Sequence, residues 1–176
     1  MKTQMQKLLE MMKPPILPID SEGDWTEVQS HDLVLPIGYK EYISIYGVGS
    51  INHFLWFFSP FATNADLNLI LKQKQFMDLV CAIEEEGGRL NIMLSEADQV
   101  VWLGVTDNGD FVCWGKSRVC DSRFFVIDGR APEFCVFEGL FIDFLIEMLS
   151  RKFNCSVFPD SFVSSPCNFK AYSENG

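Results

Sequence analysis

No stretch of this 176-residue sequence reaches the roughly 18 consecutive apolar residues that a membrane-spanning helix needs. The opening MKTQMQKLLEMM starts basic but holds no sustained apolar segment and no small-residue cleavage site, so it does not read as a secretory signal. A cytoplasmic protein with no membrane partner is expected. Closely spaced cysteines are missing as well. Cys81, Cys113, Cys120, Cys135, Cys155 and Cys167 form no C-x-x-C, and several lie in apolar, strand-like runs. Buried reduced thiols fit that distribution better than a disulfide framework or a zinc site. Histidine is nearly absent. His31 and His53 stand outside any H-E-x-x-H or other paired ligand pattern, so no bound metal is expected. His53, within an aromatic strand candidate, reads as a structural residue.

Basic charge is short too. With 14 Lys and Arg against 24 Asp and Glu, the net charge is −10. That leaves no general electrostatic footprint for direct nucleic-acid binding. Solubility accounts for such a charge, and so does a basic partner. A phosphate-cradling loop is also lacking. Gly115-Lys116-Ser117 ends like one, but Asp110 stands where the motif requires its first glycine, and the residues between read as strand. Asp107-Asn108-Gly109-Asp110 lacks the alternating acids and distal Glu of a calcium loop. A Cys–His nucleophile pair has no local signature and would have to assemble in space. Neither an enzyme nor a cofactor is expected.

What is present is apolar. Hydrophobic residues make up 48% of the chain, including 16 Phe, enough for one globular domain with a real core. Residues 3–12 read as a short helix stopped by Pro14-Pro15, and 15–31 as a Pro-, Gly- and acid-rich connection. Pro36 suits the first turn of a helix in which Ile37, Tyr39, Tyr42, Ile43 and Tyr46 supply contacts and which Gly47 stops. GSINHFLWFF, 49–58, is the first strand candidate. Residues 64–88 carry the longest helical pattern. Asn64 or Asp66 can cap it, Leu69, Phe76, Val80 and Ile83 fall near helical spacing, and Gly87-Gly88 end it. LNIMLS (90–95) reads as a short extended piece, and RFFVID (123–128) and EFCVFE (133–138) as strands. Phe141, Phe144, Leu145, Met148 and Leu149 recur at helical spacing and mark the last helix. The tail is expected to be partly packed with a mobile end.

WLGVTDNGDFVCWGK, 102–116, carries the strongest local signal. Two β-favouring runs flank Asn108-Gly109, the pair favoured in a two-residue type I′ turn. Such a turn pairs Asp107 with Asp110, Val105 with Val112, and Leu103 with Trp114. Leu103, Val105, Val112 and Trp114 then share one face, and Trp102, Thr106, Phe111 and Cys113 the other, with a gap at Gly104. A longer turn would shift that register. Apolar residues on both faces place the hairpin inside a covered sheet. The expected class is α+β, a single mainly antiparallel sheet flanked by helices. Its parts are an N-terminal helix and acidic linker (1–31), a main domain (32–152) with a helical insertion (64–88), and a tail (153–176) packed on or trailing it.

Two acidic clusters are candidate partner-binding sites. Asp20, Glu22, Asp24 and Glu27 surround Trp25 in a loop, and Glu84, Glu85 and Glu86 crowd a helix C-terminus, where the macrodipole disfavours negative charge. Both fit a solvated surface. They also fit an anionic docking face with Trp25 as its aromatic anchor.

In order along the chain stand Leu35-Pro36 before Tyr39, Tyr46-Gly47 with Gly49, Trp102 and Gly104, Asn108-Gly109-Asp110, Trp114, and Phe144-Leu145. This ordered set, over roughly 32–152, resembles the SUKH superfamily, which includes fungal cell-wall synthesis regulators and many bacterial immunity proteins. Here Leu103 separates Trp102 from Gly104, and the 64–88 helix is an insertion. The resemblance implies that these motif positions are structural. It also implies a non-enzymatic binding protein, most often an immunity protein that neutralises a polymorphic toxin of nuclease or deaminase class. The net charge suits a basic toxin domain as partner. The alternative within the family is a regulatory interaction module of a cell-wall or signalling pathway.

Overall fold

Thr3 determines where the chain first turns helical. In the computed structural model its hydroxyl accepts from the Gln6 N–H at 3.2 Å, while the Gln6 side chain accepts from the Thr3 N–H at 2.9 Å. This reciprocal cap starts α1 (Gln4–Met11). The structure describes residues 2–85, 99–116, 122–130, 133–163 and 166–173, so Glu86, Gly87-Gly88 and the 90–95 segment lie outside the described residues. The expected 15–31 connection contains α2 (Trp25–Ser30), because Asp24 accepts from the Thr26 N–H at 2.8 Å and from its hydroxyl at 2.6 Å. Pro36 does not open the next helix. Its carbonyl accepts from the Tyr39 N–H at 3.1 Å across a turn in which Gly38 has φ +92°, and α3 spans Tyr39–Tyr46. Ile37 is thrown outward on that turn, 75% exposed, and supplies no core contact. Asn64 caps only a 3-10 turn (Ala65–Leu67). Asn68 caps α4 (Leu69–Glu85), its carbonyl oxygen taking the Ile70 and Leu71 N–H groups at 3.0 and 3.2 Å.

Among the described residues the strands are β1 (Gly49–Ile51), β2 (Leu55–Phe57), β3 (Gln99–Thr106), β4 (Phe111–Lys116), β5 (Arg123–Ile127), β6 (Phe134–Glu138) and β7 (Phe169–Ala171), and α5 (Phe141–Leu149) follows β6. They form one sheet in the order β6-β5-β4-β3-β2-β1-β7, antiparallel at every junction. The fold is α+β, with helices flanking that sheet. The 49–58 run is a hairpin rather than one strand. Asn52 and His53 have φ +50° and +55°, and the Phe54 N–H bonds the Ile51 carbonyl at 3.0 Å. Two left-handed residues in series are what a type I′ turn requires. His53 stands exposed at its tip, its ring 3.4 Å from the Asn168 amide. The tail supplies β7, so it completes the sheet beside β1.

The turn at Asn108-Gly109 is longer than the two-residue form. The Thr106 N–H bonds the Asp110 carbonyl at 3.0 Å and the Gly109 N–H bonds the Thr106 carbonyl at 2.9 Å, leaving a loop of Asp107, Asn108 and Gly109. Of these only Gly109 has positive φ, +85°. Polar chemistry decides the matter. Asp110 is fully buried, taking the Thr106 hydroxyl at 2.6 Å and the Gly129 N–H at 3.3 Å, so Thr106 and Asp110 close the loop together. Val105 then pairs with Phe111, Gly104 with Val112, Trp102 with Cys113 and Val101 with Trp114, and a bulge leaves Leu103 unmatched. The expected Leu103–Trp114, Val105–Val112 and Asp107–Asp110 pairs do not form. Val105 joins the face of Trp102, Phe111 and Cys113, while Gly104 joins that of Val112 and Trp114.

One face of the sheet packs on α3 and α5. Tyr42 stacks on Tyr46 at 4.9 Å and meets Phe57 and Phe141 edge-on at 5.6 and 5.4 Å, while Phe124 stacks on Phe144 at 5.0 Å. Leu145 is fully buried beside them, and half-buried Leu35 and buried Pro36 lead the chain into α3. The other face meets α4 through Phe76 against Trp102, 5.6 Å between rings. Tyr39 donates to the Phe58 carbonyl and Tyr46 to the Met12 carbonyl at 2.6 Å, whereas the Tyr42 hydroxyl is buried without a partner among the described residues.

Burial pushes the phenols of Tyr39, Tyr42 and Tyr46 far above their ordinary pKa, with like-charge repulsion among them adding at Tyr42. A folded-state pKa raised this way leaves stability intact below about pH 10 and removes it as pH climbs higher. Tyrosinate absorbance from these three residues is therefore expected to appear only together with loss of circular dichroism. Three phenols titrating near pH 10 in a folded protein would contradict the packing of α3.

Candidate functional site

Strand alternation sends Leu55 and Phe57 into the core and leaves Trp56 on the opposite face, opposite Val105. There a cleft of about 410 Å³ opens between the sheet and the chain that crosses it. Its floor is Trp56, Trp102, Phe58 and Val105. Its walls are Asn64, Asp66 and Leu67 of the 3-10 segment, Lys72 of α4, Asp107 of the β3–β4 loop, and Tyr172 beyond β7.

Polar contacts fix these walls. Trp56 Nε1 donates to Asp107 at 2.8 Å, which ties the aromatic floor to the hairpin tip. Asn64 donates to the Tyr172 hydroxyl at 2.7 Å. Lys72 Nζ lies 2.9 Å from Asp66 and 6.0 Å from the Trp102 ring centroid, its side chain 13% exposed against 86% for Asp66. Trp102 is held from behind. Its indole donates to the Gly104 carbonyl at 2.6 Å, and Gln73 takes its backbone N–H and C=O, standing in for a neighbouring strand beyond the end of β2. Gly104 permits this closeness, since a Cβ there would meet the Trp56 carbonyl oxygen at 2.4 Å. Two carboxylates against one ammonium leave the rim net negative.

The acidic loop is built differently from its sequence expectation. Asp20, at φ +51°, accepts from the Thr63 N–H at 2.9 Å and its own carbonyl takes the Ser59 hydroxyl, so it staples the loop to the segment beside Asn64. Asp24 is the cap of α2, and hydrogen bonds from Thr26 hold its carboxyl below its ordinary pKa. Glu22 and Glu27 are exposed. Trp25 is half-buried rather than exposed in a loop. It begins α2, meets Phe61 edge-on at 4.7 Å, and carries the Lys40 ammonium 5.0 Å above its ring. Glu84 and Glu85 are the last described residues of α4, and Glu86 lies outside the described residues.

Most of the cleft is invisible to sequence reasoning. Trp56, Asn64, Asp66, Lys72, Asp107 and Tyr172 come from the β2 strand, the 3-10 turn, a helix, a hairpin tip and the tail, which no local spacing joins. Among the described residues no group of three or more His, Cys, Asp or Glu could hold a metal. No helix among them is long and apolar enough to cross a membrane. No protein-family model matches the chain, and neither a curated protein nor a solved structure matches it.

Proposed function

We propose that this chain is a non-enzymatic protein-binding module of the SUKH kind, acting as an immunity protein that occupies and silences a basic toxin domain of nuclease or deaminase class. The observation that carries this reading is the aromatic cleft with its carboxylate rim. Trp56 and Tyr172, part-exposed beside buried Trp102, offer rigid aromatic area of the type that dominates interface energetics, and Asp66 and Asp107 add negative charge at its edge. The net charge of −10 favours association with a positively charged surface, such as a nucleic-acid groove. Exposed Glu22, on the loop stapled beside Asn64, and exposed Glu27, in α2, extend the same field.

The test uses the purified product of the adjacent gene as partner and measures association and dissociation rates across ionic strength. Trp56→Ala is expected to raise Kd about 30-fold, about 2 kcal/mol, chiefly through faster dissociation. The pair Glu22→Gln and Glu27→Gln is expected to slow association and flatten its salt dependence. Asp20 and Asp24 stay unmutated because they hold the loop itself. Unchanged rates in both variants would remove this face as the binding site. A partner that is a signalling or cell-wall enzyme without toxicity would support the regulatory alternative instead.

A further inference from the structure

Cys135 lies on β6, the open edge of the sheet, half-buried, and its thiol interacts with that of Cys155. Cys155 is buried in the loop that follows α5. The Ser156 hydroxyl stands 3.6 Å from Cys135 Sγ, which seats the loop carrying Cys155 against β6. On its other side Cys155 lines a cavity of about 230 Å³ with Met148, Arg151, Phe153, Phe158 and Phe162. That volume gives the Cys155 thiol room to turn, while a hydroperoxide reaches Cys135 from the part-exposed edge of the sheet.

We propose that Cys135 and Cys155 form a modification site for hydroperoxides, in which Cys135 is oxidised first and Cys155 resolves it into a disulfide. The proposal is independent of the binding role. The Cys135 thiolate attacks the terminal peroxide oxygen. An S–O bond forms, the O–O bond breaks, and the alcohol or water leaves after taking a proton, which gives a sulfenic acid. The Cys155 sulfur then attacks the Cys135 sulfur. An S–S bond forms, the S–O bond breaks, and hydroxide leaves as water with the Cys155 proton. Two thiols lose two electrons together, and one hydroperoxide gains them.

Access divides these roles, since Cys135 stands part-exposed on the sheet edge and Cys155 is buried. Burial opposes ionisation of Cys135, but the bonds from Cys155, Ser156 and Val157 outweigh it and hold its thiol below the ordinary range. Cys155, raised first by burial and then by its bond to Cys135, is pushed up to about 12. Burial also pushes Cys113 far up within the sheet, and it raises Cys167 despite an opposing bond from Asn52.

The experiment treats the folded full chain with limited hydrogen peroxide, blocks remaining thiols, and maps disulfides by non-reducing tryptic mass spectrometry. Cys155 and Cys167 share one tryptic peptide, so fragment ions must separate them. The Cys135–Cys155 link is expected to form before any other, and thioredoxin-type dithiols should reverse it. In Cys155→Ser, dimedone should trap one sulfenic acid per chain, at Cys135. In Cys135→Ser, Cys155 should stay unmodified at the same dose. No Cys135–Cys155 link in the wild-type protein would overturn the proposal, whether or not the variants fold. So would labelling of Cys135 no faster than that of Cys113 and Cys167.

Discussion

Trp114→Ala should lower the free energy of unfolding by about 3–5 kcal/mol. Trp114 is 3% exposed in the middle of β4, paired with Val101 on one side and Phe124 on the other. Its face of the sheet is the one that α3 and α5 cover, so truncation opens a cavity that the close-packed core cannot refill. The indole also donates to the Ser122 hydroxyl at 2.8 Å, and Trp114→Phe, which keeps most of the volume, should cost only about 1 kcal/mol through that lost bond. Urea denaturation checks both, with an unchanged slope showing that stability alone has moved. A shift near zero for the alanine variant would mean an exposed tryptophan. The hairpin would then present Trp114 as a ligand contact, and the packing of α5 on β4 would be wrong.

Gly47→Ala should cost about 4 kcal/mol, roughly half from backbone strain and half from forced displacement. Gly47 ends α3 at φ +65° and ψ −152°, a region essentially open to glycine only. A Cβ there would stand 2.2 Å from the Ile19 carbonyl oxygen, the acceptor that already binds the Val48 N–H at 2.7 Å. The atom in the way is main chain, so it cannot rotate aside. Gly109→Ala makes the comparison. Its φ is +85°, but no atom of the described residues lies within 4 Å of the added Cβ, so only the left-handed penalty of about 1 kcal/mol remains. Parallel melts of the two variants separate conformational strain from close approach. Equal costs would show that the α3–β1 junction is looser than its geometry.

Local pattern by itself determined the class of fold and most of its elements. The spacing of Phe141, Phe144, Leu145, Met148 and Leu149 gave α5, because an apolar stripe at that period can be buried only as a helix. β-Favouring runs of the right length gave β3 to β6, and apolar residues on both sides of 102–114 required a sheet covered on both faces. Asn-Gly marked a turn in the right place but not its length. The buried Thr106–Asp110 pair, bonded onward to Gly129, chose the three-residue loop, and a distant acceptor of that kind leaves no trace in the turn's own sequence. The same limit hid the Asn52-His53 turn, where two ordinary residues adopt left-handed backbone because strands on either side pair. It hid β7, whose partner β1 lies far up the chain. Acidic composition suggested a docking loop around Trp25, yet tertiary contacts turned Asp20 and Asp24 into fasteners and seated Trp25 on Phe61. The aromatic cleft was decided wholly at that level. Its residues are brought together by strand order and by the path of the 3-10 segment across the sheet, and energies that depend on which elements meet are not written in any one of them.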